Sequence, residues 1–194
     1  MTSPPQSARE LMLAGEPYHP LDDELVAGRA RARALTLAYN TTLGDETERR
    51  SELLGELLGD AAEGVWIEPP FHCDYGSNIY LATNVYLNLG CVILDCARVE
   101  IGENSLVGPC VQIYAATHPV DPAARRKGVE FARPVTIEAE VWIGGACVIG
   151  PGVTIGAGTT VGAGSVVVSD LPPGVVAAGN PCRVIRKLED SEGR

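Results

Sequence analysis

Histidine is the side chain best suited to exchange protons near neutral pH, and this chain of 194 residues contains three of them. His118 is the most informative, because it lies in the stretch YAATHPVD, at 114–121, where a regular, glycine-punctuated pattern stops. In this setting a histidine can be a general base, or it can be an ordinary solvated loop residue. Taken alone, the position of His118 leaves both interpretations open. The other two histidines, His19 and His72, lack such a context and are interpreted as structural or surface residues.

The six cysteines offer a second kind of chemistry, but their spacing argues against it. No two of them form a C-x-x-C pair, and no histidine lies at zinc-finger spacing from them, so we expect no metal site. Free and mostly buried thiols in a reducing cytoplasm are the ordinary interpretation. Cys110 and Cys147 fall among the repeat positions, and we interpret both as packing residues.

Charge and composition exclude several kinds of partner. The formal net charge is −10, so nucleic acid and anionic membranes should repel the chain, and an anionic ligand would need a local basic patch. Residues 141–169 carry no charge and are long enough to span a bilayer, but their glycines, threonines and short period argue against a membrane span. The N-terminal MTSPPQSARE has no apolar core typical of a secretory signal, so we expect a cytoplasmic protein.

A period of six organises the second half of the chain. Aliphatic residues recur at this spacing, usually followed by glycine, at Ile137, Ile143, Ile149, Ile155, Val161 and Val167. The same phase occurs at 101–113, and a shifted phase runs through 67–91. Six is a multiple of the strand period of two and does not fit a helix, so each unit is predicted to be a short strand followed by a tight corner. Such repeats are typical of a parallel β-helix with interior columns of aliphatic side chains, which suits an aromatic content of only 5%.

The repeat divides the chain into three parts. Residues 1–60 are predicted to form a helical cap over one end of the coils, with helices within 7–15, 21–39 and 45–59. Residues 61–188 are predicted to form the β-helix domain, and 189–194 a C-terminal tail. In the third helix, four leucines form one face, Asp45 is predicted to be the N-cap with Glu48 completing a capping box, and Gly59 to end the helix.

The interruption at 114–134 is polar, contains prolines and carries charge. A loop of this length inside a compact solenoid is commonly functional.

Several segments together resemble the maltose/galactoside O-acetyltransferase family, with features of the maltose branch: FHCDYGSNIYLATNVYLN, ILDCARVEIG, YAATHPVDPAAR, PVTIEAEVWIGG, VIGPGVTIG and AAGNPCRVIRKL. The similarity runs from about residue 7 to 188. It implies a mainly β protein, a left-handed β-helix of hexapeptide repeats with an α-helical cap and an inserted loop. It also implies a homotrimer with sites between subunits, and transfer of acetyl from acetyl-CoA to a sugar hydroxyl, typically the 6-hydroxyl of maltose or related glucose-type sugars.

The resemblance assigns two catalytic residues. His118 matches the family's histidine in A-T-H-P, which acts as the general base in direct transfer within a ternary complex. Asn88 matches an asparagine that contacts the acceptor and stabilises the tetrahedral intermediate, although a turn-forming asparagine is the alternative.

The resemblance also assigns residues to the acceptor. Asp74 and Asp95 align with acceptor-side positions, and Asp22 is the candidate for the N-terminal acceptor carboxylate, with Asp23 adjacent. The chain departs from the galactoside branch at Cys96, where that branch has a second carboxylate, and at Pro20, the branch's position for the N-terminal one.

The cofactor residues implied by the resemblance follow the same repeats. Trp142 matches a tryptophan that lines the pantetheine tunnel, Gly145 supplies a backbone N–H near the thioester oxygen, and Ala163 contacts the pantetheine arm. Arg183 and Arg186 match residues near the nucleotide phosphates, which would be the local basic patch that an acidic chain needs. The cofactor set is completed by Val168 and Ser169, which stand where relatives often have Thr-Lys.

Two other functions remain open at the level of the sequence. The same chemistry could serve another acceptor, such as an amino sugar, a chito-oligosaccharide, serine or an antibiotic. A non-catalytic trimeric scaffold is the alternative from a different class.

Overall fold

The computed structural model of the chain describes residues 6–188, in which helices precede a body built from short strands. The predicted tail at 189–194 lies outside the described residues, as do residues 1–5 of the predicted cap. The first three helices are α1 (Ala8–Leu13), α2 (Asp23–Asn40) and α3 (Thr47–Leu57). None of the helices in the described part has the length and hydrophobicity that a bilayer crossing requires.

Short strands, most of them two or three residues long, make up the body. In chain order they are β1 (Asp60–Ala61), β2 (Trp66–Ile67), β3 (His72–Cys73), β4 (Ile79–Leu81), β5 (Tyr86–Leu87), β6 (Val92–Leu94), β7 (Val99–Ile101), β8 (Leu106–Val107), β9 (Gln112–Tyr114), β10 (Ala116–Thr117), β11 (Phe131–Ala132), β12 (Val135–Ile137), β13 (Trp142–Ile143), β14 (Val148–Ile149), β15 (Thr154–Ile155), β16 (Thr160–Val161), β17 (Val166–Val167), β18 (Val175–Ala178) and β19 (Arg183–Lys187). A fourth helix, α4 (Pro122–Arg125), lies between β10 and β11.

The strands stack into three parallel sheets, which the chain visits in turn. Sheet 1 has the order β1-β4-β7-β12-β15, sheet 2 runs β2-β5-β8-β13-β16-β18, and sheet 3 runs β3-β6-β9-β14-β17. The last strand, β19, adds to sheet 2 in the antiparallel sense. Each strand inside the stack is hydrogen-bonded to the strand one coil above and to the strand one coil below. This is the solenoid that the period of six predicts, so the predicted parallel β-helix with its helical cap and inserted loop is confirmed.

Two buried side chains on each side of a coil fill the core of the solenoid. In the fourth coil the buried pairs are Val135 and Ile137, Val141 and Ile143, and Cys147 and Ile149. Register explains the shifted phase of the early repeats: Ile79 pairs with Val99, twenty residues on, whereas Thr136 pairs with Thr154, eighteen residues on. The two extra residues of each early coil lie between its strand in sheet 3 and the next strand in sheet 1. These corners are therefore wider than the others.

The corners between strands are tight, and backbone fills the space beside them. At Gly102 an added Cβ would lie 2.5 Å from the backbone nitrogen of Ala139 in the next coil. Some corners need a positive φ, and Cys110 occupies one of them at 59°. The interpretation of Cys110 as a packing residue is therefore wrong, because its side chain at this corner is exposed. Cys147 is fully buried, as expected.

Helices α2 and α3 dock on the first coil. The Tyr39 hydroxyl donates to the carbonyl oxygen of Ile67 at 2.5 Å, and the Asn40 amide exchanges two hydrogen bonds with the backbone of Phe71, at 2.9 and 2.8 Å. The three leucines of α3 and Leu58, which caps its C-terminus, are buried, as the amphipathic pattern predicts. This contact covers the otherwise open end of the interior columns.

The predicted ends of α3 are wrong. The helix begins at Thr47 without a side-chain cap, because the Glu46 carboxylate accepts instead from the backbone N–H of Leu43 in the preceding turn. A capping box does occur, but in α1, between Ser7 and Glu10. Gly59 does not end the helix; its N–H donates to Gly76 and Ile79, and it starts the first coil.

The interruption of the repeat is a hairpin with a two-stranded stem. β10 pairs with β11 in the antiparallel sense, so the chain leaves the third coil and returns to start the fourth. At its tip, Asp121 caps α4 by accepting from the N–H of Ala124 at 2.7 Å. We call β10, β11 and the residues between them the inserted stem.

The tight corners predict a contrast between two glycine substitutions. Gly102→Ala should lower the free energy of unfolding by about 3 kcal/mol, because its Cβ meets backbone that cannot move aside. Gly55→Ala, in α3 with nothing within 4 Å of the new Cβ, should raise it by about 0.5–1 kcal/mol. Urea unfolding of both variants measures this, and equal stabilities would contradict the packing described for the corners.

Candidate active site

The inserted stem places His118 opposite a carboxylate. His118 follows β10 directly and Glu130 precedes β11, so the antiparallel pairing brings the two side chains face to face. The His118 Nε2 atom lies 3.8 Å from Glu130 Oε1. The imidazole is about half exposed, at 55%, and the carboxylate is mostly covered, at 21%. This is the arrangement of a histidine that can act on a ligand while a carboxylate orients its ring.

Glu130 is a residue that sequence reasoning missed. Its main chain exchanges two hydrogen bonds with Tyr18, at 2.9 and 3.1 Å, and its Oε2 accepts from the Tyr18 hydroxyl at 3.1 Å. The available signal was a single acidic residue between Val129 and Phe131, where the interrupted sequence resumes an alternating pattern. Its meaning depends on a partner 112 residues away, which no local pattern reveals.

His118 lines two cavities. The first, about 460 Å³, is bordered by Gly15, Phe131 and Arg133. The second, about 380 Å³, is bordered by Pro20, Leu21 and Glu130. Each has room for a small organic ligand or part of one. Neither cavity is lined by Asn88 or Trp142, which belong to the side of sheet 2, whereas the stem leaves the coil after β9 of sheet 3.

Asp74 lies at one of the wide corners, beside the buried Cys96. The Cys96 thiol donates to Asp74 Oδ2 at 3.4 Å and lies close to the Tyr18 hydroxyl. Burial, together with the charge of Asp74, raises the pKa of the Cys96 thiol far above neutral pH. Cys96 is therefore a hydrogen-bond donor here and not a thiolate nucleophile.

The structure corrects the prediction that Asp95 contacts the acceptor. Its side chain is fully buried, and its oxygens accept from three backbone N–H groups, of Asp74 at 3.1 Å, of Tyr75 at 2.8 Å and of Asn78 at 3.2 Å. Its own carbonyl oxygen accepts from the Asn78 amide at 2.7 Å. Asp95 thus holds the wide corner that displays Asp74, and it has no surface to offer a ligand.

The predicted cofactor residues lie together along sheet 2 and the corners that follow it. Trp142 lies on the outer face of β13, 56% exposed, paired across strands with Leu106 and Thr160. Gly145 and Ala163 follow β13 and β16, one coil apart, and within residues 6–188 no acceptor bonds to their N–H groups. These unbonded N–H groups and the exposed ring can receive a ligand along the side of the solenoid.

Two further candidate groups lie on the same side, and a third lies on the neighbouring sheet. Asn88 follows β5, and its Oδ1 accepts from the N–H of Leu89 at 2.8 Å, which leaves its amide hydrogens available. Arg183 and Arg186 are exposed on β19, at the far end of sheet 2. Val168 and Ser169 are exposed just after β17, in the neighbouring sheet.

Comparison with known proteins agrees with this architecture. Residues 11–62 match the family described as the maltose acetyltransferase hexapeptide capping motif, and 134–169 match the bacterial transferase hexapeptide, six repeats. The chain is 50% identical to Nodulation protein L of Rhizobium meliloti, over 92% of this chain and 98% of that protein.

Two solved structures are similar over almost the whole chain. The maltose O-acetyltransferase of Clostridium difficile 630 has a TM-score of 0.94 and 45% identity, covering 95% of this chain and 99% of its own. A galactoside acetyltransferase in complex with coenzyme A has a TM-score of 0.92 and 40% identity, covering 96% and 93%. The chain belongs to the maltose and galactoside O-acetyltransferase family. It is therefore an acyltransferase, and the resemblance seen in the sequence is confirmed.

In this acetyltransferase Asp22 has a clear local role. It is the N-cap of α2, with its Oδ1 accepting from the N–H of Glu24 at 3.0 Å. Its neighbours Pro20 and Leu21 border the second cavity, whereas Asp22 does not. A contact between Asp22 and the acceptor remains a prediction from the resemblance.

The buried carboxyl of Asp95 predicts a pH dependence of stability. Burial raises the pKa of Asp95 from 3.8 to about 6, although its backbone hydrogen bonds act in the opposite direction. The folded state therefore holds this proton more tightly than the unfolded state does, so the contribution of Asp95 to stability increases as the pH falls towards 5 and is lost as the pH rises through 6.

The comparison with Asp95→Asn isolates this effect. The variant should have a lower free energy of unfolding than the wild type at every pH, because an amide nitrogen would face a backbone N–H. The difference between variant and wild type should be about 1 kcal/mol larger at pH 5 than at pH 7. Urea unfolding at the two pH values measures the deficit. A deficit that does not change with pH would contradict the raised pKa.

Proposed function

We propose that this acetyltransferase transfers the acetyl group of acetyl-CoA to a sugar hydroxyl, with His118 as the general base. The observation that carries the proposal is the pairing of His118 with Glu130 on the inserted stem, between two cavities. Membership of a family of maltose and galactoside acetyltransferases, one of them solved with coenzyme A, supports both the acyl donor and the class of acceptor.

The proposed proton transfer follows from the orientation of the imidazole. Nε2 faces the Glu130 carboxylate, which favours the tautomer with its proton on Nε2 and leaves the lone pair on Nδ1. Nδ1 removes the proton of the sugar hydroxyl as its oxygen attacks the thioester carbon. The carbon–sulfur bond then breaks, the imidazolium returns the proton to the departing sulfur, and Glu130 stabilises the positive ring in between.

Direct transfer in a ternary complex fits the thiols near the site. An acyl-enzyme would need a reactive thiolate, and burial raises the pKa of the Cys73 and Cys96 thiols well above neutral pH. The acceptor hydroxyl is therefore the nucleophile in this proposal, and the protein contributes the base and the donors that stabilise the oxyanion.

The second half of the proposed site lies along sheet 2. Trp142 would pack against the pantetheine arm, Gly145 and Ala163 would donate their free N–H groups to it, and Asn88 would donate its amide to the developing oxyanion. Arg183 and Arg186 would meet the nucleotide phosphates. Both are exposed on β19 beside Lys187, and they give a chain of net charge −10 a short basic strand for an anionic cofactor. Val168 and Ser169 are proposed at the edge of the same path.

We propose that the two halves meet between copies of the chain, in a homotrimer. His118 and Glu130 lie on the inserted stem, whereas Asn88 follows β5 and Trp142 lies on β13, two strands of sheet 2, and neither of these residues borders either cavity. The side of sheet 2 also carries the exposed apolar side chains of Leu106 and Trp142, which a second copy could cover. Each site would then take its base from one copy and its donors from the next.

The proposed acceptor is a maltose or glucose-type sugar, acetylated at its 6-hydroxyl. Asp74 is the acceptor-side carboxylate, presented by the corner that Asp95 holds. Rates of thiol release with maltose, glucose, glucosamine, chito-oligosaccharides and serine would rank the acceptors. A preference for an amine over a hydroxyl would replace the sugar-hydroxyl assignment.

Replacement of His118 tests the proposed base. His118→Ala should lower kcat by roughly 10²–10⁴-fold with the best acceptor, because the hydroxyl loses the group that removes its proton. His72→Ala is the matched control, since His72 is exposed on β3 and borders neither cavity. Thiol release measured for both variants gives the answer, and full turnover in His118→Ala would end the proposal.

Replacement of Trp142 tests the proposed cofactor path. Trp142→Ala should raise the KM for acetyl-CoA about tenfold with little change in the KM for the sugar, because the ring would pack on the pantetheine arm. Leu37→Ala removes a similarly exposed apolar side chain from the cap and should leave both constants unchanged. If loss of Trp142 leaves the KM for acetyl-CoA unchanged, acetyl-CoA does not bind along this proposed path.

A further inference from the structure

We propose that Tyr18 is a positioning residue, whose hydroxyl holds the Glu130 carboxylate against His118, so that the N-terminal cap helps to set the catalytic base. This inference rests on the proposed function of His118. It assigns a role in the reaction to a buried residue of the cap.

The main chain joins the two residues first. The N–H of Tyr18 donates to the carbonyl of Glu130 at 3.1 Å, and the N–H of Glu130 donates back to Tyr18 at 2.9 Å. This isolated antiparallel bridge links the stretch between α1 and α2 to the returning side of the inserted stem. The tyrosine ring therefore keeps a fixed position relative to the glutamate backbone.

The Tyr18 hydroxyl then fixes the carboxylate. The side chain is 2% exposed, and burial raises the pKa of the phenol, so it remains a donor at any pH the enzyme meets. Its one proton is directed to Glu130 Oε2 at 3.1 Å. One carboxylate oxygen is thus held by Tyr18, and the other faces His118 Nε2.

This arrangement restricts a group that would otherwise rotate. Glu130 is partly open to solvent, and its carboxylate has no other side-chain donor within 3.5 Å among residues 6–188. Without the hydroxyl, the carboxylate could turn towards water and leave the imidazole unoriented. The Tyr18 hydroxyl also lies close to the Cys96 thiol, which donates to Asp74, so this tyrosine lies between the proposed base and the acceptor-side carboxylate.

A double-mutant cycle tests the role. Tyr18→Phe, which removes only the oxygen, should lower kcat at least tenfold and leave the KM for acetyl-CoA unchanged, in keeping with the loss of a hydrogen bond to a charged group. In a Glu130→Gln background the same substitution should change kcat less than twofold, because the carboxylate through which it acts is gone. Equal losses in both backgrounds, or no loss in the wild-type background, would overturn the proposal.

Tyr39→Phe is the matched control. Tyr39 is a second fully buried tyrosine of the cap, whose hydroxyl donates to the carbonyl of Ile67 at 2.5 Å, away from the stem. Its loss should leave kcat unchanged even if the melting temperature falls. A loss of kcat like that of Tyr18→Phe would mean that any damage to the cap slows the enzyme, and would overturn the specific role of Tyr18.

A second variant keeps the test valid if Tyr18→Phe does not fold. Replacement of Tyr18 by 4-aminophenylalanine retains a donor at the same place and should keep more than half of the wild-type kcat, whereas a tenfold loss would overturn the proposal. The outcome of His118→Ala separates the two claims. If that variant is slow while Tyr18→Phe is normal, only the role of Tyr18 fails; if His118→Ala is itself normal, the proposed function fails.

Discussion

The structure depends on the parallel stacking of short strands. Each strand must bond to the strand one coil above and one coil below, and each corner lies against the backbone of the next coil, as at Gly102. A chain under this constraint can vary only where it leaves the stack or where a corner widens. The polar chemistry is therefore found at the inserted stem, at the wide corners near Asp95 and along the corners that follow sheet 2.

A buried polar group holds each of the places where the repeat is broken. Asp95 accepts three backbone N–H groups and keeps the wide corner beneath Asp74 in one conformation. Tyr18 joins the inserted stem to the cap through two main-chain bonds and its hydroxyl. Because unpaired polar groups are costly in an apolar interior, these contacts specify the local structure more sharply than aliphatic packing does.

The sequence predicted the periodic solenoid, but it did not reveal contacts between residues that are far apart in the chain. The repeat from Ile137 onward predicted the solenoid, and the family motifs pointed to His118. Glu130 was missed because its partners are a histidine across a stem and a tyrosine 112 residues earlier. Asp95 was assigned to the acceptor from the resemblance, and a sequence match does not show whether a carboxylate faces a ligand or three buried N–H groups.

The central claim is that each site is shared between copies, with the base from one and the oxyanion donor from another. The most direct measurement mixes two inactive variants, His118→Ala and Asn88→Ala, by unfolding and refolding them together. Random assembly into trimers should restore about a quarter of the wild-type activity, since one interface in four would hold both intact residues. A mixture no more active than its separate components would contradict the account.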